Sequence, residues 1–281
     1  MSESSLIAMS GSCDCHVHIY DSERFPLLQR IARASWNDYQ HVQRRLGLER
    51  ALLVQANGYG FDMDCLLDAL AQAGDTARAI AVIPPDISDE SLSKLHRAGV
   101  RGVRFMLIPN AQGALAWDAL EPISARIAEL GWVINLQVDG RQLHNYEARV
   151  RALPSAVSID HTGKFLEPVG IDHVSFKSLL SLLDSDKVWV KVSAPYETSK
   201  SGPPSYEDVS VLARTLVQAF PERCLWASNW PHPGRSPAPD NLAMLDLLSG
   251  WAPNDNVRRR ILVDNPAELY GFKPVVRQAA Q

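Results

Sequence analysis

Eight short apolar runs recur along this 281-residue chain, and longer segments with helical periodicity fill the gaps between them. Several runs are continuous rather than alternating, such as Ala51-Leu52-Leu53-Val54, which is typical of strands buried on both faces. Parallel strands need a long crossover, usually a helix, so this order predicts an α/β domain. The predicted strands span residues 13–18, 51–57, 79–83, 102–107, 132–138, 157–161, 188–193 and 224–229.

Five amphipathic segments predict helices between these strands. The segment 63–74 ends at Gly74, and the segment 88–98 starts at Ser88 with an acidic first turn and stops before Gly99. The other predicted helices span residues 117–130, 206–220 and 242–251. Eight strands that alternate with helices predict one (β/α)8 TIM barrel over residues 1–281. An open doubly wound sheet is the alternative, but no Gly-x-Gly-x-x-Gly follows an early strand.

Charge and composition argue against several classes of function. The chain has 28 basic and 32 acidic residues, so no basic excess points to nucleic acid or to an anionic membrane. The first five residues lack the positive charge of a signal peptide, and no apolar run approaches the roughly 18 residues of a membrane span. We therefore expect a cytoplasmic protein with a small-molecule partner. The sequence carries no signal for an oligomeric state.

The first predicted strand carries the motif Asp14-Cys15-His16-Val17-His18. Alternation along a strand predicts that His16 and His18 point into one space, with Asp14 behind them. The residues predicted to point the opposite way are Cys13, Cys15 and Val17. Two imidazoles on one face can bind a divalent metal, polarise a carbonyl or shuttle a proton. Thiols on the opposite face would not share that site, and the four cysteines are expected to be free core residues.

Polar side chains recur where the predicted strands end, and the active site of such a barrel lies at that end. Seven of the eight strands end in hydrogen-bonding or ionisable groups, so we expect them to converge on one pocket. In chain order they are His16, His18, Gln55, Asn57, Arg104, Gln137, Asp139, Asp160, His161, Lys164, Lys191, Tyr196, Asn229, Trp230 and His232.

Several of these residues also have a purely structural interpretation. Lys191 lies in an apolar run, where a buried ammonium must be paired or liganded. Arg104 could pair with Asp139 or Asp160. Gln55 could satisfy backbone groups, and Asp139 could cap the next helix. The histidines expected at the surface are His41, His96, His144 and His173.

These residues, in this order, resemble the amidohydrolase superfamily, in particular its branch around 2-pyrone-4,6-dicarboxylate lactonases. The stretches that carry the resemblance span residues 14–18, 54–56, 101–105, 159–163, 226–232 and 265–267. Within that branch, residues 161–165, residues 196–199 and Asn229 look most like the D-galactarolactone isomerases, whereas His16 departs from them. The resemblance implies a TIM barrel that acts at the carbonyl of an anionic lactone.

The superfamily's usual metal centre needs the two strand-one histidines, further histidine or lysine ligands, and an aspartate at the end of strand eight. Here Gln137 ends strand five and Asn229 ends strand eight, and a neutral amide is a poor ligand for a divalent cation. The resemblance therefore favours a site without a cofactor. The alternative is a divalent metal such as zinc on His16, His18 and His161.

The expected catalytic residues are His16, His18, His161 and Asn229. The expected substrate-binding residues are Asn57, Arg104, Gln137, Lys164, Lys191, Tyr196 and His232. Asn229 cannot be the general base that a lactonase uses to activate water, because an amide is not basic near neutral pH. Hydrolysis is nevertheless the first hypothesis, because most of the superfamily hydrolyses its substrates. Exchange of the lactone ring within one molecule is the alternative, and a non-catalytic barrel that binds a sugar acid is a third.

Overall fold

The computed structural model describes residues 9–27, 31–109 and 113–274. Within them, eight parallel strands form one sheet in the order of the chain. The strands are β1 Cys13–Val17, β2 Arg50–Val54, β3 Ala77–Ala81, β4 Val100–Met106, β5 Val133–Gln137, β6 Ala156–Ile159, β7 Val188–Ser193 and β8 Cys224–Ala227.

The sheet closes on itself between its first and last strands. Val17 pairs in parallel with Trp230, and the His18 amide donates to the Trp230 carbonyl at 2.8 Å. The predicted (β/α)8 barrel is confirmed, and the open sheet is excluded. The prediction of one domain over residues 1–281 includes segments outside the described residues.

Helices lie between consecutive strands and cover the barrel. Four predicted helices match within about one residue at each end, and the segment 117–130 starts with a 3-10 turn, Trp117–Ala119, before its α-helix. The helices are α1 Trp36–Leu46, α2 Asp64–Ala73, α3 Asp89–Ala98, α4 Leu120–Ala128, α5 Leu143–Ala152, α6 Val174–Leu183, α7 Glu207–Ala219, α8 Asn241–Trp251, α9 Asp255–Arg259 and α10 Asn265–Tyr270.

A bulge in β1 overturns part of the predicted alternation. Asp14 pairs with Ala51 and Val17 pairs with Leu53, so two residues of β1 face one residue of β2. The extra residue brings His16 and His18 to the inner side while Val17 packs outward, as predicted. The prediction was wrong for three residues, since Cys13 and Cys15 also pack inward, and Asp14 contacts Tyr39 of α1. All four cysteines are buried and free, as expected.

Asp14 fastens the closure of the barrel. Its buried carboxylate accepts from the backbone amide of His16 at 3.2 Å, from that of Ser228 at 2.9 Å, and from the Tyr39 hydroxyl at 3.1 Å. These bonds join β1, the turn after β8, and α1. Burial raises the pKa of Asp14 to about 6, although the three hydrogen bonds favour the ionised form. The Asp14 carboxylate therefore holds the backbone of β1 in place at His16.

The strands end earlier than predicted at several places. β2 ends at Val54, β6 at Ile159 and β8 at Ala227. His161 and Asn229 have left-handed backbone angles, with φ of 53° and 62°, which take them out of the ladder. Several polar residues predicted at strand ends therefore lie in the turns just past them, whereas His16, Arg104, Gln137 and Lys191 lie within their strands. No helix in the described parts of the chain is long and apolar enough to cross a membrane.

Gly102 offers a test of how tightly β4 packs beside β5. A Cβ at this position would lie 2.3 Å from the Val133 carbonyl oxygen. We expect Gly102→Ala to lower the free energy of unfolding by about 1–3 kcal/mol, because the backbones must move apart. Gly250→Ala is the matched control: its Cβ meets open space in α8, and alanine there is expected to be neutral or stabilising. Urea denaturation measures both, and equal effects would contradict the packing argument.

Candidate active site

A cavity of about 230 Å³ opens at the carboxyl end of the barrel. Its lining comes from the turns after β1, β2, β6, β7 and β8 and from β4 and β5 themselves. Sequence reasoning identified most of these side chains as site residues. The predicted residues that line the cavity are His18, Asn57, Arg104, Gln137, His161, Lys164 and Asn229.

Lys191 forms the polar floor beneath this cavity. Its ammonium lies 3.1 Å from His16 Nδ1, 3.1 Å from Asp160 Oδ1, and in hydrogen-bond contact with Asn135 Oδ1. Asn135 in turn donates to Asp160 Oδ2 at 2.9 Å. All four side chains are fully buried. The ammonium thus has hydrogen-bond contacts with His16 and Asn135 and an ion pair with Asp160.

The hydrogen bonds fix where the protons of the two strand-one histidines lie. His18 Nδ1 is 2.8 Å from the Val54 carbonyl, which can only accept, so Nδ1 carries a proton and neutral His18 has a bare Nε2. That nitrogen is 3.1 Å from His16 Nε2, which must then be the donor. His16 Nδ1 is left bare and accepts from Lys191. The tautomers of His18 and His16 thus follow from their hydrogen bonds to the Val54 carbonyl and to the Lys191 ammonium.

The histidines of the site are uncharged. Burial lowers the pKa of His18 to about 3, and the positive charge of Arg104 adds to the effect. Burial also holds the pKa values of His16 and His161 well below the ordinary value, despite the nearby Asp160 carboxylate. A neutral imidazole can either accept or donate a proton at a reacting group, whereas a permanently charged ring can only donate one.

The turn after β6 holds His161 and Lys164 in a strained conformation. All four residues from 161 to 164 have positive φ, which costs about 1 kcal/mol or more for each residue that is not glycine. Gly140 supports this turn: its amide donates to the Lys164 carbonyl at 3.0 Å, and a Cβ there would lie 2.2 Å from the Gly163 oxygen. His161 Nδ1 is 3.0 Å from the Ser193 hydroxyl. Such strain is concentrated at functional sites.

Asn229 belongs to a chain of directed hydrogen bonds. Its Nδ2 donates to the Tyr196 hydroxyl and to Glu197 Oε1, both at 2.9 Å. His232 Nε2 donates to Asn241 Oδ1 at 2.9 Å, so His232 Nδ1 accepts from the Tyr196 hydroxyl at 2.8 Å. Both amide protons of Asn229 are therefore used, and its Oδ1 remains as an acceptor.

Arg104 is a buried cation without an ion-pair partner among the described residues. Its Nη1 donates to the Gln55 carbonyl at 2.7 Å, but its Nε has no partner there. Burial lowers the pKa of Arg104, which nevertheless stays charged. The predicted pairing with Asp139 or Asp160 is wrong: Asp139 binds Arg141 at 2.7 Å and Asp160 binds Lys191.

Three predicted substrate-binding residues lie behind the residues that line the cavity. Lys191 is fully buried, Tyr196 accepts from Asn229, and the His232 ring accepts from Tyr196. Their predicted role in binding a substrate stays a prediction. Gln55 binds three backbone groups, at Gly60, Asp62 and Val82, so its structural interpretation is the right one.

The other polar residues outside the cavity also have structural partners. Asp139 accepts from the Arg141 amide and caps the short turn that precedes α5. His41 and His144 are exposed, as predicted. His96 and His173 are half-buried rather than fully at the surface: His96 accepts from the Trp132 indole, and His173 caps α6.

Sequence reasoning missed four residues that line the cavity, namely Tyr20, Met106, Glu197 and Pro233. Glu197 matters most, because it is the only carboxylate among the described lining residues. Its Oε2 contacts the Lys164 ammonium, and both side chains are nearly buried. Burial lowers the pKa of Lys164 to about 8, whereas the Asp160 carboxylate favours the protonated form. The dipeptide Tyr196-Glu197 was a visible signal, but it follows the end of β7 by three residues.

Potential metal ligands do converge, on a set that differs from the predicted one. His16, Asp160 and His161 offer ligand atoms within 4.8 Å of one another. The Lys191 ammonium already binds two of these groups and neutralises the one carboxylate. A divalent cation would add charge beside Lys191 and Arg104, and strand eight supplies an amide where a carboxylate is needed. The donor set therefore does not fit a divalent metal with Lys191 in place.

Comparison with known proteins gives consistent results. A family model described as amidohydrolase matches residues 13–272. A 2-pyrone-4,6-dicarboxylate hydrolase of Comamonas testosteroni is 34% identical, over 93% of this chain and 90% of its own. A D-galactarolactone isomerase of Agrobacterium fabrum is 32% identical, over 85% and 82%. A crystal structure of an Agrobacterium tumefaciens protein superimposes with a TM-score of 0.88 at 31% identity, covering 94% of this chain and 97% of that one.

The neutral histidines predict how stability depends on pH. The unfolded chain binds a proton at each histidine below about pH 6.5, whereas folded His18 stays neutral down to about pH 3. Stability must therefore fall as the pH drops through this window, by up to about 1.4 kcal/mol per pH unit for each such histidine.

His18→Asn removes one of these titrating histidines. The slope of stability against pH should therefore fall by up to about 1.4 kcal/mol per pH unit between pH 6 and pH 4. His41→Asn changes an exposed histidine and serves as the control. Urea midpoints across the pH range measure both slopes. Identical slopes for His18→Asn and the unmodified protein would show that His18 is charged in the fold.

Proposed function

Because this chain belongs to the amidohydrolase family, we propose that it acts at the carbonyl of a carboxylate-bearing lactone, with hydrolysis as the first candidate reaction. The observation that supports this proposal best is Arg104. A buried guanidinium with an unpaired Nε, facing a cavity, calls for an anionic ligand. The two relatives are named for the lactones on which they act, and both of these lactones carry carboxylate groups.

The lining offers polar atoms that complement such a ligand. Arg104 binds the substrate carboxylate through its free Nε–H. Gln137 Oε1 is buried with no partner among the described residues, and it accepts from a substrate hydroxyl or acid group. Asn57 lies beside Met106 at the same wall. Each of these buried groups gains a hydrogen bond on binding, which favours a substrate with polar groups at matching positions.

The reactive carbonyl lies toward the histidines. When the Ser193 hydroxyl turns from the Lys191 carbonyl, 3.4 Å away, to donate to His161 Nδ1, His161 presents Nε2–H to the cavity and donates to the carbonyl oxygen as negative charge develops. His18 lines the same wall, and its ring is held by Val54 and by His16. Water then adds to the carbonyl carbon and gives up a proton. The ring C–O bond breaks, and the leaving alkoxide takes a proton back.

Isomerisation of a lactone is the second candidate, and Asn229 favours it. The Oδ1 of Asn229 can accept from a substrate hydroxyl and orient it toward the carbonyl. That hydroxyl is already part of the substrate, so attack within the molecule gains from high effective concentration. A new ring forms as the old one opens, and no net acid is released. If the protein is instead a non-catalytic barrel, it binds the lactone and forms neither the open-chain acid nor the isomerised lactone.

The proposed reaction proceeds without a divalent metal, because Lys191 occupies the position where the ligand atoms converge. Incubation with 2-pyrone-4,6-dicarboxylate and with D-galactarolactone, followed by NMR, tests the function. Open-chain product supports hydrolysis, and a changed ring without acid release supports isomerisation. Equal rates with and without EDTA are expected. Loss of activity in EDTA that zinc restores would contradict the metal-free proposal, and binding without turnover would favour the non-catalytic alternative.

Arg104→Met tests the carboxylate site. Loss of a charge-assisted hydrogen bond costs about 1.5–3 kcal/mol, so kcat/KM should fall roughly 10- to 150-fold, mainly through KM. Arg97→Met, an exposed change on α3, is the control and should leave both constants unchanged. Initial rates over a range of anionic lactone concentrations separate the two. An unchanged KM in Arg104→Met would show that the carboxylate binds elsewhere.

A further inference from the structure

The active site lacks an acid at the end of β8 but holds one on the neighbouring turn. Glu197 lies in a short turn after β7, Pro195–Glu197, and its Oε1 accepts from the very amide, Asn229, that stands at the end of β8. The two side chains are joined by a single 2.9 Å hydrogen bond. The carboxylate thus lies one hydrogen bond away from the residue that follows β8, and it still lines the cavity.

We propose that Glu197 is the general base and acid of this enzyme, an inference that rests on the proposed lactone chemistry. Of the lining histidines, His18 Nε2 accepts from His16, and His161 is assigned above to the carbonyl oxygen. Two further candidates lack either access or basicity. Asp160 is fully buried under the cavity and bound to Lys191. Asn229 cannot take a proton. Glu197 alone combines a carboxylate with a position in the lining of the described cavity.

The hydrogen bonds of Glu197 leave it able to exchange a proton. Asn229 holds Oε1, and Lys164 contacts Oε2. Lys164 also lines the cavity, so the carboxylate of an anionic substrate can compete for its ammonium. Transfer of Lys164 to the substrate frees one oxygen of Glu197 and makes that carboxylate more basic. Binding of the anion would then prepare the base.

The proton balance is the same for both candidate reactions. The attacking oxygen, from water or from a substrate hydroxyl, forms its bond to the carbonyl carbon and gives its proton to Glu197. The ring C–O bond then breaks, and the leaving oxygen takes that proton from Glu197. The carboxylate is regenerated, and no other reactant is needed. In hydrolysis the new acid ionises afterwards, whereas in isomerisation no acid appears.

Glu197→Gln tests the inference through kcat and KM. Loss of general-base assistance should lower kcat by roughly 10²–10⁴-fold. The change also removes a negative charge beside Lys164, so the KM for an anionic lactone should stay the same or fall. A purely structural role for Glu197 would instead raise KM by releasing Lys164 and Asn229. Glu167→Gln removes a carboxylate from an exposed pair with Lys200 outside the cavity, and it should leave kcat unchanged.

The double variant Glu197→Gln/Asn229→Asp exchanges the carboxylate and the amide across their hydrogen bond. The single change Asn229→Asp would put two carboxylates at one hydrogen-bond distance, so the exchange is the cleaner variant. It should recover roughly tenfold or more of the kcat lost in Glu197→Gln, because a base again faces the cavity.

All variants are assayed with 2-pyrone-4,6-dicarboxylate and D-galactarolactone. Glu197→Gln with a kcat within about threefold of the active parent protein would overturn the role of Glu197 alone. A raised KM without recovery in the exchange variant would overturn it in favour of a structural role. An unmodified protein that turns over neither lactone would overturn the proposed function and this inference together.

Discussion

The placement of polar groups inside the barrel depends on the buried ammonium of Lys191. Desolvation of a charge this deep costs several kcal/mol unless each of its protons finds an acceptor. Asp160 neutralises the charge, and Asn135 and His16 accept hydrogen bonds from the ammonium. Replacement of Lys191 by an apolar residue would leave Asp160 as an unpaired buried anion. These four residues therefore form one unit, and their arrangement determines the floor of the cavity above them.

This unit decides the charge state of the groups that face a ligand. Because Lys191 donates to His16, that ring must donate from its other nitrogen, and His18 must accept. Asp160 pairs directly with Lys191 and acts on Arg104 only from a distance, where it favours the charged form. The cavity consequently presents neutral imidazoles beside a guanidinium that has no direct ion-pair partner among the described residues. An enzyme that handles an anionic ester needs this combination, since the cation holds the acid group and the imidazoles act at the carbonyl.

The sequence predicted the barrel because strand and helix periodicity are local properties of the chain. It also identified most of the cavity, because the carboxyl ends of parallel strands must meet. The inward position of Cys13 and Cys15 could not be predicted, since a bulge depends on pairing with β2 and not on β1 alone. The pairing of Lys191 was equally hidden: the sequence showed a cation that needed a partner, but only the closed barrel brings Asp160 to it.

Glu197 was missed although Tyr196, beside it on the same turn, was predicted, and the location of that turn has an evolutionary consequence. A residue at the end of β8 is bound into the hydrogen bonds that close the barrel, so its side chain has little freedom to move. The turn at Glu197 leaves β7 through Ala194, whose φ of 46° redirects the chain outside the ladder. Insertions or substitutions there would shift the carboxylate while the barrel stays intact. Descendants of such a protein could thus exchange one reaction for another by changing a few residues of one turn beside the cavity.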